Sequence, residues 1–205
     1  MKRYLESGEC VDWRHPTILG RAATLRHDGS DEATAKACFE FVRDEVAHSW
    51  DHRRGPVTCR ASEVLAHGTG YCYAKSHLLA ALLRANGIPA GLCYQRVSVE
   101  DTGSPYCLHG LNAVYLERHG WYRVDARGNK VDVAAVFDPP IERLAYECHD
   151  PNERDLPEIW ARPLPDVIDV LTRCETVEQV HENLPDVEVA GSRCERVRAG
   201  GHRTV

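Results

Sequence analysis

Cys72 follows Gly70 and Tyr71 and begins a long apolar stretch that ends before Pro89. Apolar residues in such a stretch, stopped by glycine and proline, predict a helix that starts close to the cysteine. Backbone N–H groups at a helix N-terminus carry roughly half a positive charge, which lowers the pKa of a cysteine from its usual value of about 8.5. The sequence therefore predicts a thiol that is ionised and nucleophilic at neutral pH.

A base and an orienting acid for this thiol are expected in two later stretches with strand-like patterns. His109 lies near the start of the first stretch, and Asp125 lies near the end of the second. The two stretches form a predicted hairpin that turns near residue 119, and residues of equal parity on its strands share one face of the sheet. His109 and Asp125 are therefore expected to be neighbours in space.

These three side chains together predict acyl transfer through a thiol. His109 would take the proton of Cys72 and later give it to the leaving amine, while Asp125 would fix the tautomer and stabilise the imidazolium. The backbone N–H of Cys72 would be one donor to the oxyanion. The predicted catalytic residues are thus Cys72, His109 and Asp125.

Further residues are candidates for the rest of the site. Trp50 is the candidate for the second oxyanion donor, because its indole N–H precedes the Cys72 helix in the chain. Tyr71 and Tyr73 flank the cysteine and are candidates for the wall of the acyl pocket. Cys107 shares strand parity with His109 and is a further candidate for the lining of the cleft.

The elements that must position these residues follow the order helices, sheet, helices, which predicts an α+β fold with helices packed on an antiparallel sheet. The stretch from Ser49 to Cys59 is expected to be a surface loop. Strands are predicted over Leu92 to Val99, Cys107 to Glu117 and Trp121 to Ala126. Helices are predicted over Asp31 to Ala47, Ser62 to Ala66, about Tyr73 to Ala85, Asp166 to Cys174 and Val177 to Asn183.

Length and charge restrict the class of protein. The 205 residues, 43% of them hydrophobic, can form one domain without disulfides, which we place at residues 1–190. Residues 191–205 hold four arginines against one glutamate, a net charge of +3, and are expected to be a disordered tail. The net charge of −6 argues against a nucleic-acid partner. No apolar run reaches membrane-spanning length and no signal peptide is seen, so a cytoplasmic protein without a membrane partner is predicted.

The nine cysteines and eleven histidines raise the question of a metal. No pair of cysteines has the spacing of a zinc motif, so neither a metal site nor a cofactor is predicted. His77, five residues after Cys72 on the predicted helix, is expected to face away from the thiol. The odd number of cysteines and the chain length also argue against a disulfide framework.

Several motifs together carry a family resemblance: Ala61-Ser62-Glu63-Val64-Leu65, Gly70-Tyr71-Cys72, Leu82 to Ala90, His109, and Gly120 to Asp125. Through them, residues from about 33 to 128 resemble the transglutaminase-like superfamily of papain-fold cysteine enzymes. The resemblance implies a papain-like core and a Cys-His-Asp triad on Cys72, His109 and Asp125. Gly91 is a departure, because members of the family often have arginine at that position.

The expected substrate is a protein, a peptide or another amide, and the outcome is hydrolysis, deamidation or transamidation. Hydrolysis is favoured, because no feature for binding an acceptor amine is seen. The alternative is a catalytically inactive domain that keeps the fold for binding or scaffolding. A redox or metal-handling protein is a third alternative, suggested only by the numbers of thiols and imidazoles.

Overall fold

The computed structural model describes residues 1–100, 103–131 and 133–187 and shows the predicted α+β fold. The predicted tail, residues 191–205, and the predicted domain end at residue 190 lie outside the described residues. Helices precede the main antiparallel sheet and follow it, as the sequence predicts.

Five of the seven described α-helices lie close to the predicted ranges. A short helix, α3, occupies the first part of the stretch from Ser49 to Cys59, so the prediction of a loop there is wrong in part. The helix could not be predicted, because four residues are too few to show a helical period of apolar residues. The described helices are α1 (Pro16–Thr24), α2 (Asp31–Glu45), α3 (Ser49–His52), α4 (Ala61–His67), α5 (Cys72–Ala85), α6 (Pro165–Arg173) and α7 (Val177–Glu182).

The main sheet has four strands in the order β5-β4-β3-β8, with antiparallel neighbours throughout. The predicted hairpin is its β4–β5 pair, which turns before Gly120 at a positive φ of 74°. Two further two-stranded sheets flank it: parallel β1–β2 and antiparallel β6–β7. The strands are β1 (Ala47–His48), β2 (Thr69–Gly70), β3 (Ala90–Ser98), β4 (Tyr106–Leu116), β5 (Gly120–Val124), β6 (Val136–Asp138), β7 (Ile141–Arg143) and β8 (Arg154–Asp155).

Helix α5 is the centre of the core, with every residue from Cys72 to Arg84 buried. It packs on β3 and β4 on one side and on α1, α2 and α4 on the other. A fully buried leucine such as Leu78 or Leu82 contributes about 1.5–3 kcal/mol relative to an exposed one. Burial on all sides therefore holds the N-terminus of α5 in a fixed place.

Two buried basic side chains on α5 donate hydrogen bonds to backbone carbonyls. Lys75 donates to the carbonyl of Val46, which immediately precedes β1. Arg84 donates to Ala90 at 2.7 Å and to Ala161 at 2.9 Å. Burial lowers the pKa of Lys75 to about 7. These bonds join α5 to β1, to β3 and to the chain that leads into α6.

Two glycines allow close approaches that a side chain would block. A Cβ on Gly110 would lie 2.9 Å from Tyr73 Cδ1 and 3.1 Å from Tyr73 Cα, so the first turn of α5 rests directly on β4. A Cβ on Gly91 would lie 2.2 Å from Ile159 Cγ2. The chain around Trp160 is bridged to Leu92 and covers this part of β3. The space that an arginine would need at position 91 is thus already filled.

The segment from Val177 to Asp186, here called the C-terminal strap, crosses the end of the sheet near α3. Its carbonyl at Val177 accepts a 2.6 Å hydrogen bond from the Tyr71 hydroxyl, and its Pro185 carbonyl accepts one from Leu108 N at 2.7 Å. Arg96 forms two 2.6 Å hydrogen bonds with Asp186. Within the described ranges, no helix is long and apolar enough to cross a membrane.

Candidate active site

Cys72 is the first residue of α5, as the predicted chemistry requires. Its side chain is buried, with 7% of the residue exposed, and its backbone lies against Gly110 through Tyr73. Strand β5 ends at Val124, opposite Asn112, so it does not pair with β4 at Gly110. The Gly110 N–H instead donates to the sulfur of Cys72 at 3.4 Å. A backbone donor of this kind stabilises a thiolate.

His109 and Asp125 are neighbours, as strand parity predicts. The β4–β5 register pairs residues of equal parity, for example Asn112 with Val124, and Asp125 follows directly after β5. His109 Nε2 and Asp125 Oδ2 are 2.7 Å apart, and both side chains are buried. The ring of His109 is also within hydrogen-bonding reach of the Cys72 thiol. Because Nε2 is used by Asp125, Nδ1 is the nitrogen available to the sulfur.

The electrostatics of the pair favour a thiolate beside an imidazolium. Burial raises the pKa of Cys72, but His109 and then His48 lower it more, to about 6 from an ordinary 9.0. Burial lowers the pKa of His109, but Asp125 and Cys72 raise it more, to about 10 from 6.5. Both groups are therefore charged between about pH 6 and pH 10.

Asp125 is held as a carboxylate by three donors. Besides His109, the N–H groups of Arg127 and Ala145 donate to it at 3.0 and 3.1 Å. Burial alone would raise the pKa of Asp125, but His109 and these two N–H groups lower it below 3.8. A buried carboxylate with three bonds has a fixed orientation, so the ring of His109 is fixed as well.

A second histidine, His48, lies at the same thiol. It ends β1, whose parallel pairing with β2 places His48 beside Gly70, two residues before Cys72. Its ring is within hydrogen-bonding reach of the thiol and lies edge-on to Tyr71, with centroids 5.6 Å apart. His48 Nδ1 is 3.4 Å from Asp51 Oδ2, although no hydrogen bond of good geometry is formed there among the described residues. The thiol thus has a histidine–aspartate pair on each side.

Asp51 is tied to the loop that carries Asp125. The guanidinium of Arg127 contacts both oxygens of Asp51, at 2.9 and 2.7 Å. Burial raises the pKa of Asp51, but His48 and Arg127 lower it to well below 3.8. Arg127 therefore links the two histidine–aspartate pairs, through its backbone to one and through its side chain to the other.

The structure places the three aromatic candidates around the same cavity, which has a volume of about 680 Å³. Trp50 is stacked on His181 with centroids 3.5 Å apart, and the guanidinium of Arg53 lies 3.3 Å from its ring centroid. The hydroxyl of Tyr71 donates to Val177, and that of Tyr73 donates to Leu108. Both hydroxyls therefore donate to backbone carbonyls, and the two side chains pack in the wall of the cavity.

Cys107 also lines this cavity, as parity with His109 suggested. Burial raises the pKa of its thiol to about 12, in contrast to that of Cys72. The C-terminal strap also contributes to the wall of the cavity, through His181 and Leu184. Tyr146 completes the surroundings of His109, with its ring edge-on to the imidazole at 4.9 Å.

Comparison with known protein families identifies the family of this chain. The chain matches the family described as the Transglutaminase-like superfamily over residues 21–126, which is 106 of 205 residues. The chain belongs to the transglutaminase-like superfamily. The match includes Cys72, His109 and Asp125, and it ends one residue after Asp125. No curated protein matches the chain.

Two solved structures are similar to part of this transglutaminase-like chain at low sequence identity. A candidate cysteine protease from Cytophaga hutchinsonii has a TM-score of 0.49 and 17% identity, covering 60% of this chain and 40% of that one. The periplasmic domain of TgpA from Pseudomonas aeruginosa, bound to ethylmercury, has a TM-score of 0.46 and 21% identity, covering 61% and 47%. This chain spans less than half the length of either protein.

Sequence reasoning missed His48, Asp51, Arg127 and Tyr146 as parts of the transglutaminase-like cleft. His48 follows the amphipathic pattern of α2 directly, and its strand has two residues, so no periodicity marked it. Arg127 follows Asp125 by two residues, but its burial is seen only in the structure. Because arginine is rarely buried without a partner, that burial marks Arg127 as part of the site.

Proposed function

We propose that this protein is a cysteine-dependent acyl-transfer enzyme that acts on an amide or peptide carbonyl through a thioester on Cys72. One observation carries the proposal: the thiol at the N-terminus of α5 is paired with His109, whose other nitrogen binds buried Asp125 at 2.7 Å. Membership of the transglutaminase-like superfamily supports a cysteine enzyme in general. The reaction below follows from the chemistry of this pair.

The sulfur of Cys72 attacks the carbonyl carbon, and the carbonyl oxygen takes the negative charge. When the tetrahedral intermediate collapses, the carbon–nitrogen bond breaks and His109 gives its proton to the leaving amine. The acyl group is then a thioester on Cys72. Neutral His109 takes a proton from the incoming water or amine, and the second collapse restores the thiolate and the imidazolium. Asp125 keeps the ring oriented through both steps.

The oxyanion needs donors, and the N–H of Cys72 is one of them. For the second donor, Trp50 remains the proposal made from the sequence. We add His48 and favour it, because His48 lowers the pKa of the Cys72 thiol, while the ring of Trp50 is stacked on His181. His48 Nδ1 lies 3.4 Å from Asp51 Oδ2, so Asp51 lies on the ring's Nδ1 side.

We propose hydrolysis as the outcome, in preference to transamidation. Exposed Val131, Glu147 and His149 lie at the rim of the cavity, so water can reach a thioester on Cys72. Transamidation would need an acceptor site from which water is excluded. Proteins and peptides are the proposed substrates, and the mechanism needs no cofactor. A cytoplasmic location also remains a prediction from the sequence.

Acylation by p-nitrophenyl acetate tests the proposal without knowledge of the natural substrate. We expect a burst of nitrophenolate and an acetyl group on Cys72, located by peptide mass spectrometry. Cys72→Ala should abolish both, whereas Cys107→Ala, a cysteine of the same cavity, should retain them. Asp125→Asn should slow acylation by about 100-fold or more, because the histidine then loses its tautomer.

Two results would contradict the proposal. Acetylation spread over several cysteines, or none on Cys72, would favour an inactive binding domain.

A small amine such as glycinamide, added to the acylated enzyme, tests the outcome of the reaction. Release of acetate at an unchanged rate supports hydrolysis, and transfer of the acetyl group to the amine would show transamidation instead.

A further inference from the structure

We infer that Cys10, Cys59 and His77 form a binding site for a thiophilic metal ion, with Zn²⁺ as the first choice. The three side chains come from separate parts of the chain: the segment before α1, the segment before α4, and the middle of α5. One donor atom from each lies within 4.8 Å of the other two. The inference departs from the expectation of no metal site and is independent of the proposed function.

The distance between the two sulfurs fits a tetrahedral zinc site. Cys10 Sγ and Cys59 Sγ are 3.7 Å apart. Two thiolates bound to zinc at about 2.3 Å with a tetrahedral angle have their sulfurs about 3.8 Å apart. A disulfide needs about 2.05 Å between the sulfurs, so the two cysteines are not bonded to each other. The distance between these two sulfurs is therefore that of two thiolates bound to one zinc ion.

The histidine is already oriented as a metal ligand. His77 is fully buried, and its Nδ1 is 2.8 Å from the carbonyl oxygen of Cys59. A carbonyl only accepts, so Nδ1 must carry the proton and Nε2 must have a free lone pair. Ligand histidines in metal sites are commonly fixed in this way by a backbone carbonyl.

That lone pair has no partner within the part of the chain that the structure describes. A buried polar atom without a hydrogen bond is destabilising, and a bound cation would remove this destabilisation. The free Nε2 is a second observation beside the two thiols, and it points to the same ligand.

The charge and the surroundings also suit a divalent ion. Binding of Zn²⁺ would release the two thiol protons, and two thiolates would then neutralise the ion, so the buried site would have no net charge. Cys10 also borders a cavity of about 310 Å³ that Glu9 and Arg84 line, which gives the ion a path of entry. We assign the fourth position of the tetrahedron to a water molecule.

The position of the site gives it a structural role. Ala61 N donates to the carbonyl of Cys10 at 2.8 Å, which already holds the N-terminal segment at the start of α4. A metal on these three ligands would cross-link that segment and the start of α4 to α5, five residues after Cys72. The ion would thus stabilise the helix that carries the thiol without touching the reacting groups.

Metal binding to the full chain tests the inference, with no activity measurement. The protein is treated with a reductant and a chelator, freed of both, and titrated with Zn²⁺ against a chromophoric chelator. We expect one ion per chain. Cys59→Ser and His77→Phe should weaken its binding by more than about 100-fold. Cys38→Ser is the matched control, because Cys38 is an equally buried thiol outside the cluster, and it should bind as the wild type does.

Two measurements keep the inference falsifiable if a variant does not fold. X-ray absorption on the wild-type zinc form should show two sulfurs at about 2.3 Å and a nitrogen at about 2.0 Å. The melting temperature of the wild type should rise with Zn²⁺, because the ion binds the native state. Fewer than two sulfur ligands, no binding, or a Cys10–Cys59 disulfide that resists reduced glutathione would overturn the inference.

Discussion

Replacement of two histidines tests the cause of the low pKa of Cys72. His48 and His109 both lower this pKa, against the opposing effect of burial, from 9.0 to about 6. In a variant with His48→Asn and His109→Asn, we therefore expect the pKa to return to 9.0 or higher. Only the thiolate reacts with iodoacetamide, so the rate of alkylation at Cys72 reports the titration.

The expected change in rate follows from these pKa values. At pH 6, about half of the wild-type thiol is ionised, against about 0.1% in the variant, a ratio of about 500. A thiolate of higher pKa is intrinsically more nucleophilic, and with a Brønsted slope of about 0.45 three pKa units amount to a factor of about 20. Alkylation of the variant at pH 6 should therefore be slower by about 20- to 25-fold.

The sign reverses at high pH. The wild-type thiolate is lost only as the pH falls through about 6, so its rate should be constant above pH 7. The rate in the variant should continue to rise through pH 9 and overtake the wild type, because its thiolate is the stronger nucleophile. This crossing separates a shift in pKa from a change in access, which would alter the rate by one factor at all pH values.

The assay is peptide mass spectrometry of Cys72 after brief alkylation between pH 4 and pH 10. Cys107 in the same cavity is the internal control and should not react below pH 9, since burial raises its pKa to about 12. His119→Asn, at the exposed turn of the same hairpin, is the matched histidine control. A wild-type midpoint near pH 9, or the same midpoint in the double variant, would refute the thiolate–imidazolium pair.

Two further predictions concern the close approaches at glycines, and chemical denaturation of the purified protein checks both. Gly110→Ala should lower the free energy of unfolding by about 1–3 kcal/mol, because its Cβ would lie 2.9 Å from Tyr73 Cδ1. Gly20→Ala, in an exposed helical position with no atom within 4 Å, should raise it by about 0.5–1 kcal/mol, and equal effects at the two sites would contradict the argument. Gly91→Ala should also lower the free energy of unfolding by about 1–3 kcal/mol, because its Cβ would clash with Ile159. An Ile159→Ala background should relieve most of that loss, and no relief would show that the contact is not the cause.

The parts of the site that obey a short period could be predicted from the sequence. Side chains alternate strictly along a strand, so equal parity was enough to bring His109 and Asp125 together across the β4–β5 hairpin. The apolar run after Cys72 predicted a buried helix, and every residue as far as Arg84 is indeed buried. Both inferences needed only local pattern and one short turn.

The parts that depend on pairing between distant segments could not be predicted. His48 reaches the thiol through a parallel pair of two-residue strands, separated by 22 positions in the register Ala47 to Thr69. Neither strand is long enough to show alternation. Cys10, Cys59 and His77 have no motif spacing, because they come from two separate segments and from helix α5. The glycine at position 91 was visible in the sequence as a departure from the family pattern. Ile159, which fills the space beside it, lies far along the chain.

The C-terminal strap has a consequence for where the functional unit ends. The match to the superfamily stops at residue 126, yet Ala145 supplies one of the donors to Asp125, and the strap supplies part of the wall of the cavity. Leu108, next to His109, is bonded to Pro185 in the strap. Shortening the chain to the family match would leave the three predicted catalytic residues present but would remove part of what holds them. The part of the chain that positions these residues is therefore longer than the segment by which the family is recognised.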